Sequence, residues 1–145
     1  MSENKVVGYT AGVYDMFHIG HLNLLKRAKE KCDYLIVGVN SDNATYSYKD
    51  KYPVIPENER CEIVGAISYV DEVVLVDNTD KIYAYEKFKP DMIIVGDDHK
   101  NEPKWKDTDS YLRQRGSEVV FLPYTEHTSS TKLRHLKDSR VAEDI

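Results

Sequence analysis

The sequence predicts an α/β fold built on a doubly wound, five-stranded parallel sheet, and three observations predict it. Five short apolar runs recur along 145 residues. They alternate with stretches of helical period, and each run is apolar throughout, as a strand covered on both faces requires. Right-handed crossovers then leave the strand order 3-2-1-4-5, a Rossmann-like arrangement whose switch point lies between the first and fourth strands.

Val6 to Gly12 reads as the first strand, and Gly20 to about Lys31 as a helix in which Leu24, Leu25, Ala28 and Cys32 recur at helical spacing. Tyr34 to Val39 is the second strand. Asn40 to Pro56 is polar, aromatic and punctuated by proline, so it reads as a long loop or a loop with short helical turns, and loops of that length are usually functional. Pro56-Glu57-Asn58-Glu59-Arg60 opens a helix whose apolar side is Cys61, Ile63, Val64 and Ile67. Val73 to Val76 is the third strand. Asn78-Thr79-Asp80 supplies caps for a helix that ends before Pro90. Met92 to Gly96 is the fourth strand and leads into Asp97-Asp98-His99. A charged loop with Trp105 as a packing or anchor residue follows, then a helix around Tyr111 and Leu112 that stops at Gly116. Val119 to Leu122 is the fifth strand, and Thr128-Ser129-Ser130-Thr131 caps a short final helix through Leu133 and Leu136.

At this length one domain is expected over residues 1–145, with its core at about 6–137 and a loosely ordered tail at about 138–145. Hydrophobic content of 41% and charged content of 31% fit a globular domain, and no apolar run approaches the ~20 residues of a membrane span. Met1-Ser2-Glu3-Asn4-Lys5 carries no apolar signal core, and Cys32 and Cys61 stand apart in helical patterns, so a cytoplasmic chain with reduced thiols is expected. A net charge of -5 argues against a nucleic-acid footprint but leaves room for a small polyanion held by a local cluster.

In a doubly wound sheet a ligand sits beyond the carboxyl ends of the strands at the switch point. There the chain reads Gly12-Val13-Tyr14-Asp15-Met16-Phe17-His18-Ile19-Gly20-His21, at a strand-to-helix turn. Two histidines three apart at a helix start share a face beside backbone N–H groups that lack intrahelical partners, and Gly20 permits close approach, so a phosphate group fits there. The same pair could be half of a zinc site, although no Cys or third His stands at ligand spacing, or ordinary helix-start residues.

The segment Tyr14-Asp15-Met16-Phe17-His18-Ile19-Gly20-His21, an aromatic-Asp pair followed after two residues by His-x-Gly-His, resembles the signature of the cytidylyltransferase-like nucleotidyltransferases. Cys32 to Val37, Tyr69 to Val73, Val95-Gly96-Asp97-Asp98 and Tyr124 to Thr131 are in register with the same family, glycerol-3-phosphate cytidylyltransferases in particular, so the similarity runs from Val6 to about Leu136. It implies transfer of a nucleoside monophosphate from a nucleoside triphosphate, CTP favoured, to a small phosphate monoester such as glycerol 3-phosphate. Pyrophosphate is released, Mg2+ assists, and the enzyme is a homodimer that needs neither nucleic acid nor membrane. An ATP-using adenylyltransferase acting on a sugar phosphate is the alternative, and a non-catalytic nucleotide-binding domain a further one.

By this resemblance His18 and His21 hold the α-phosphoryl oxygens and the oxygen bridging to pyrophosphate, while Lys49 and Lys51 clamp substrate phosphates. Val13, Tyr14, Asp15, Arg60, Asp97, Thr125, Ser129, Ser130 and Thr131 make up the implied nucleotide-binding set, and no residue is assigned as a metal ligand. Each also has an ordinary reading: the lysines as a solvated loop, Arg60 as an exposed first-turn residue, Asp97 as the end of a strand, the hydroxyl cluster as a cap. The chain departs from the family where Ser68 and Tyr124 replace arginines, where Thr79 stands near the place of a tryptophan, and where His127 and Thr128 replace Gly and Ile. These changes weaken the case for CTP and leave the His-x-Gly-His chemistry untouched. His99, His127 and His135 are given no catalytic part, and Tyr46, Tyr48 and Tyr52 could line an acceptor pocket or pack on themselves.

Overall fold

The computed structural model describes residues 5–97 and 101–123. Expectations that fall on Asp98, Thr125, Ser129, Ser130, Thr131, the final helix and the tail lie outside the described residues. Among the described residues ten elements follow in order: β1 (Val7–Gly12), α1 (Ile19–Glu30), β2 (Tyr34–Asn40), α2 (Asp42–Lys49), α3 (Glu57–Gly65), β3 (Glu72–Val76), α4 (Lys81–Phe88), β4 (Met92–Gly96), α5 (Lys104–Arg113) and β5 (Glu118–Leu122). The strands form one parallel sheet in the order β3-β2-β1-β4-β5, the order expected from the alternation of runs. Among the described residues no helix is long and apolar enough to cross a membrane.

Alternation along the strands splits the core into two layers. Tyr9, Ile36, Ile93, Val95 and Val119 face one side, where α4 contributes Ala84 and Tyr85 and α5 contributes Trp105 and Leu112. Leu35, Val37, Val39, Ile94 and Leu122 face the other, against Leu25 and Ala28 of α1 and Val64 of α3. Both faces are covered, which is why the runs are apolar without a period of two.

A repeated device fixes the register at the amino ends of the strands. Asp33, Asp71 and Asp91 each precede a strand, and each carboxylate accepts a backbone N–H from the neighbouring one: Val6, Leu35 and Val7 respectively, all at 2.8 Å. At the carboxyl ends the strands part. β1 pairs with β2 along its whole length, from Val7 with Tyr34 to Gly12 with Val39, but with β4 only at Gly8 with Met92 and Tyr9 with Ile93. The Thr10 hydroxyl donating to the Ile94 carbonyl at 2.8 Å is the last link before the crevice opens.

Three segments differ from the sequence-based expectation. Residues 42–49 form a full helix, α2, not a loop: the Ser41 hydroxyl accepts the Ala44 N–H at 3.0 Å as N-cap, and Asp50 closes the far end with φ +60°. The polar composition that suggested a loop is that of a helix resting on the rim of the pocket. Trp105 lies inside α5 and is 6% exposed, because that helix begins at Lys104, earlier than expected. In α3 the buried residues are Arg60 and Val64, while Ile63 is 43% exposed. An arginine takes a place on the inner face that periodicity reserves for an apolar residue.

Candidate active site

The turn from β1 to α1 is held in a conformation that few sequences adopt. Tyr14 and Met16 have φ of +55° and +51°, in the left-handed region that costs a residue with a Cβ roughly 1–3 kcal/mol. Two fixtures hold it there. The Asp15 carboxylate accepts the N–H groups of Val54 and Ile55, both at 2.8 Å. Arg60, 1% exposed, gathers three chain segments: its Nη1 donates to the carbonyls of Val13 (2.7 Å) and Asn40 (2.8 Å), its Nε to that of Ile55 (2.8 Å), and its Nη2 to Asp42 Oδ1 (2.6 Å). A Cβ at Gly12 would stand 3.2 Å from the Tyr14 ring, a tight contact that favours glycine there.

At the end of this turn the two histidines cap α1 reciprocally. His18 is the N-cap, and its Nδ1 accepts the Gly20 N–H at 3.0 Å, while His21 Nδ1 accepts the His18 N–H at 3.2 Å. Because a backbone N–H can only donate, both Nδ1 atoms are unprotonated acceptors. In a neutral imidazole that puts the proton on Nε2, so each ring is a donor on the side turned away from its own backbone. The rings stack with centroids 4.0 Å apart, and His21 is enclosed by Tyr14 and Phe17 at 5.5 and 5.2 Å. Burial lowers the pKa of His18, and burial together with the His18 charge lowers that of His21 to about 4. Both are neutral donors at physiological pH.

These residues border a cavity of about 490 Å³ over the crevice between β1 and β4, within the size range of small-molecule sites. His18, His21, Lys49, Lys51 and Tyr52 line it, and so do Thr79, Lys81, Lys104 and Trp105. Val13, Tyr14 and Asp15 contribute to the floor with the ends of β1 and β4. Lys49, in the last turn of α2, is close enough to help depress His21 electrostatically. Tyr52 stacks on Tyr46 at 4.5 Å at the mouth. The lining is rich in lysine although the chain carries a net charge of -5, and the carboxylate of Asp15 is held by backbone donors.

The structure thus brings together His18, His21, Lys49, Lys51, Val13, Tyr14 and Asp15 of the sequence-based set. It does not bring in Arg60, which is committed to protein carbonyls and Asp42, or Asp97, which follows the last lining residue of β4. Lys81, Lys104 and Trp105 were missed as pocket residues. The signal that could have found them is topological, since the first turns of the helices that follow β3 and β4 belong at the carboxyl edge of the sheet. Among the described residues no group of three or more His, Cys, Asp or Glu is placed to hold a metal ion.

The model of the cytidylyltransferase-like family matches residues 9–136. The chain is 36% identical to the FAD synthase of Thermococcus kodakarensis over 124 residues, covering 83% of this chain and 81% of that protein. It is 32% identical to the bifunctional protein HldE of Hyphomonas neptunium over 128 residues, 88% of this chain, and spans about a quarter (26%) of the HldE length. Among solved structures, the lipopolysaccharide core biosynthesis protein of Thermoplasma volcanium superposes with a TM-score of 0.71 at 27% identity, over 86% of this chain and 100% of that one. A family match over most of the chain makes this protein a member of the cytidylyltransferase-like nucleotidyltransferase family.

Proposed function

We propose that the protein transfers a nucleoside monophosphate from a nucleoside triphosphate to the phosphate of a small phosphate monoester, with release of pyrophosphate, and that the nucleotide is ATP. The carrying observation is the reciprocal cap, which presents two neutral Nε2–H donors at a helix N-terminus inside a lysine-lined cavity. In the reaction an acceptor phosphate oxygen bonds to the α-phosphorus while the bond to the bridging oxygen of pyrophosphate breaks, and that oxygen takes the electron pair. Donors already fixed where this charge develops need no reorganisation, and each can contribute ~3 kcal/mol. The α1 N-terminus adds its partial positive charge. Mg2+, when bound, would be held through the triphosphate oxygens and water and would offset their charge.

ATP rather than CTP, the nucleotide the sequence favoured, is supported by the FAD synthase similarity, because FAD contains an adenylyl group. The departures at Ser68 and Thr79 point the same way. The test is thermal unfolding with Mg2+ and each of the four ribonucleoside triphosphates, followed by pyrophosphate release with glycerol 3-phosphate, a sugar 1-phosphate and FMN as acceptors. A ligand at ~100 times its dissociation constant adds ~2.7 kcal/mol. Selective stabilisation by ATP with acceptor-dependent pyrophosphate release supports the proposal. Selectivity for CTP returns the chain to the cytidylyltransferase reading, and nucleotide binding without turnover favours a non-catalytic domain.

A further inference from the structure

Two tyrosines at the mouth of the cavity stand exposed where large apolar surfaces are ordinarily covered. Tyr46 is 42% and Tyr52 58% exposed, although their rings stack with centroids 4.5 Å and planes 27° apart. Tyr46 covers one face of the Tyr52 ring, so much of what Tyr52 exposes is the other face, and Tyr52 lines the cavity. The backbone is tied down on both sides of it. The Asp50 N–H donates to the Tyr46 carbonyl at 2.8 Å, and beyond Pro53 the Val54 N–H donates to the Asp15 carboxylate at 2.8 Å. The proline ring fixes one more torsion between these ties. A flat, rigid surface is thus presented at the opening.

Resting on the nucleotidyltransferase reading, we propose that the acceptor is a phosphate monoester whose carbon skeleton carries a planar conjugated ring, and that Tyr52, backed by Tyr46, is the platform on which this ring stacks. The polar lining of the cavity separates such an acceptor from a polyol. Hydroxyl groups are well held by carboxylates and carboxamides, whereas lysines donate and cannot accept. Among the described residues lining the cavity the one carboxylate is that of Asp15 and the one carboxamide that of Asn40. Both are 4% exposed, and Asp15 already accepts two backbone N–H groups. A ring face asks for no hydrogen bond, because stacking draws on apolar area and the ring quadrupoles. Lys51, next to Tyr52 in the chain, also lines the cavity, so a ligand that joins an anionic group to a ring meets adjacent side chains suited to each.

The ring is the acceptor's and not the nucleobase. Bases are distinguished along their hydrogen-bonding edges, and the Tyr46–Tyr52 stack offers a face. Edges are better met where β1 and β4 part beyond the pairs Gly8 with Met92 and Tyr9 with Ile93, since Ala11, Gly12, Val95 and Gly96 line the crevice there.

The probe is FMN, titrated into the protein holding Mg2+ and α,β-methylene-ATP, a nucleotide that cannot be cleaved between its α- and β-phosphates. Flavin emission falls when the ring stacks on tyrosine, so the titration reads contact as well as affinity. FMN should bind with quenched emission. Tyr52→Leu should weaken FMN binding about tenfold and relieve the quenching, Tyr52→Trp should keep both, and the affinity for the nucleotide analogue should be the same in all three proteins. Because Tyr52 is largely exposed, both variants should keep the fold, and their unfolding curves verify it. With ATP, glycerol 3-phosphate, which has no ring, should show a kcat/KM about tenfold or more below that of FMN. Equal FMN affinity in Tyr52→Leu, loss of nucleotide affinity in its place, or a preference for glycerol 3-phosphate overturns the proposal. A protein that binds no nucleotide sinks the nucleotidyltransferase function itself, whereas nucleotide binding without FMN contact at Tyr52 sinks only the ring platform.

Discussion

The imidazoles of His18 and His21 stack 4.0 Å apart while each turns its Nδ1 onto a backbone N–H of the same helix start. One pair of side chains therefore does two jobs, closing the open end of α1 and offering two oriented donors to the cavity. The two roles can be separated by substitution. His18→Asn keeps a good N-cap and should leave the thermal midpoint nearly unchanged, while lowering turnover at least 100-fold. His18→Ala should lose the same turnover and ~1 kcal/mol of stability as well. Unfolding curves and pyrophosphate release on the three proteins check both statements, and wild-type turnover in either variant would remove His18 from the mechanism.

Stability should depend on pH through His21. Its folded pKa of about 4 lies below its ordinary value of 6.5, so between these values the unfolded chain binds the proton that the folded one refuses. Stability contributed by this group is complete above about pH 6.5 and declines as the pH falls toward 4. The thermal midpoint should drop across that window, and His21→Gln should flatten the drop. An unchanged slope in the variant would mean that other groups dominate acid unfolding.

Removing Arg60 should destabilise the fold without any direct effect on substrate. Arg60→Ala leaves the part-exposed Asp42 carboxylate and the carbonyls of Val13, Asn40 and Ile55 without their donor, a loss of about 1–3 kcal/mol for the stranded acceptors. Arg60→Lys should recover little, since a single ammonium cannot reproduce the guanidinium fork. Urea unfolding of the three proteins measures this, and a loss below about 1 kcal/mol would contradict the assignment of Arg60 as a structural tie.

Gly38 gives a test of the central sheet. A Cβ at this position in β2 would meet the Tyr9 hydroxyl at 2.5 Å and Val76 Cγ2 at 2.7 Å. Gly38→Ala should cost about 1–3 kcal/mol through overpacking, and Gly38→Ala combined with Tyr9→Phe should cost less than the sum of the two single changes. Strict additivity would show that the clash is relieved elsewhere.

Lys51 lines the cavity next to Tyr52, whereas Lys49 approaches His21. Lys51→Ala should therefore raise the KM of one phosphorylated substrate about tenfold. Steady-state kinetics with each substrate varied in turn will identify which, and no change in KM or kcat would leave Lys51 as a solvated rim residue.

The sheet was legible in the sequence because its strands are buried on both faces and so write themselves as uninterrupted apolar runs, such as Leu35 to Val39 and Ile93 to Val95. His18 and His21 were legible because their spacing and the preceding strand fix their place. The helix α2 was not, since Asp42 to Lys49 has little apolar character and owes its position to the Ser41 cap and to the bond from Arg60 to Asp42. The burial of Arg60 depends on carbonyls from three distant segments, which no local pattern announces. Lys81 and Trp105 lie 24 positions apart and meet only through the packing of α4 and α5 on the same face of the sheet.

The aspartate clips at Asp33, Asp71 and Asp91 divide the labour between the two ends of the molecule. Strand register is clipped at the amino edge by these three carboxylates, while recognition sits at the carboxyl edge. Such a frame tolerates divergence where it matters for ligand choice. Proteins similar to this chain are named for products as different as FAD and lipopolysaccharide core.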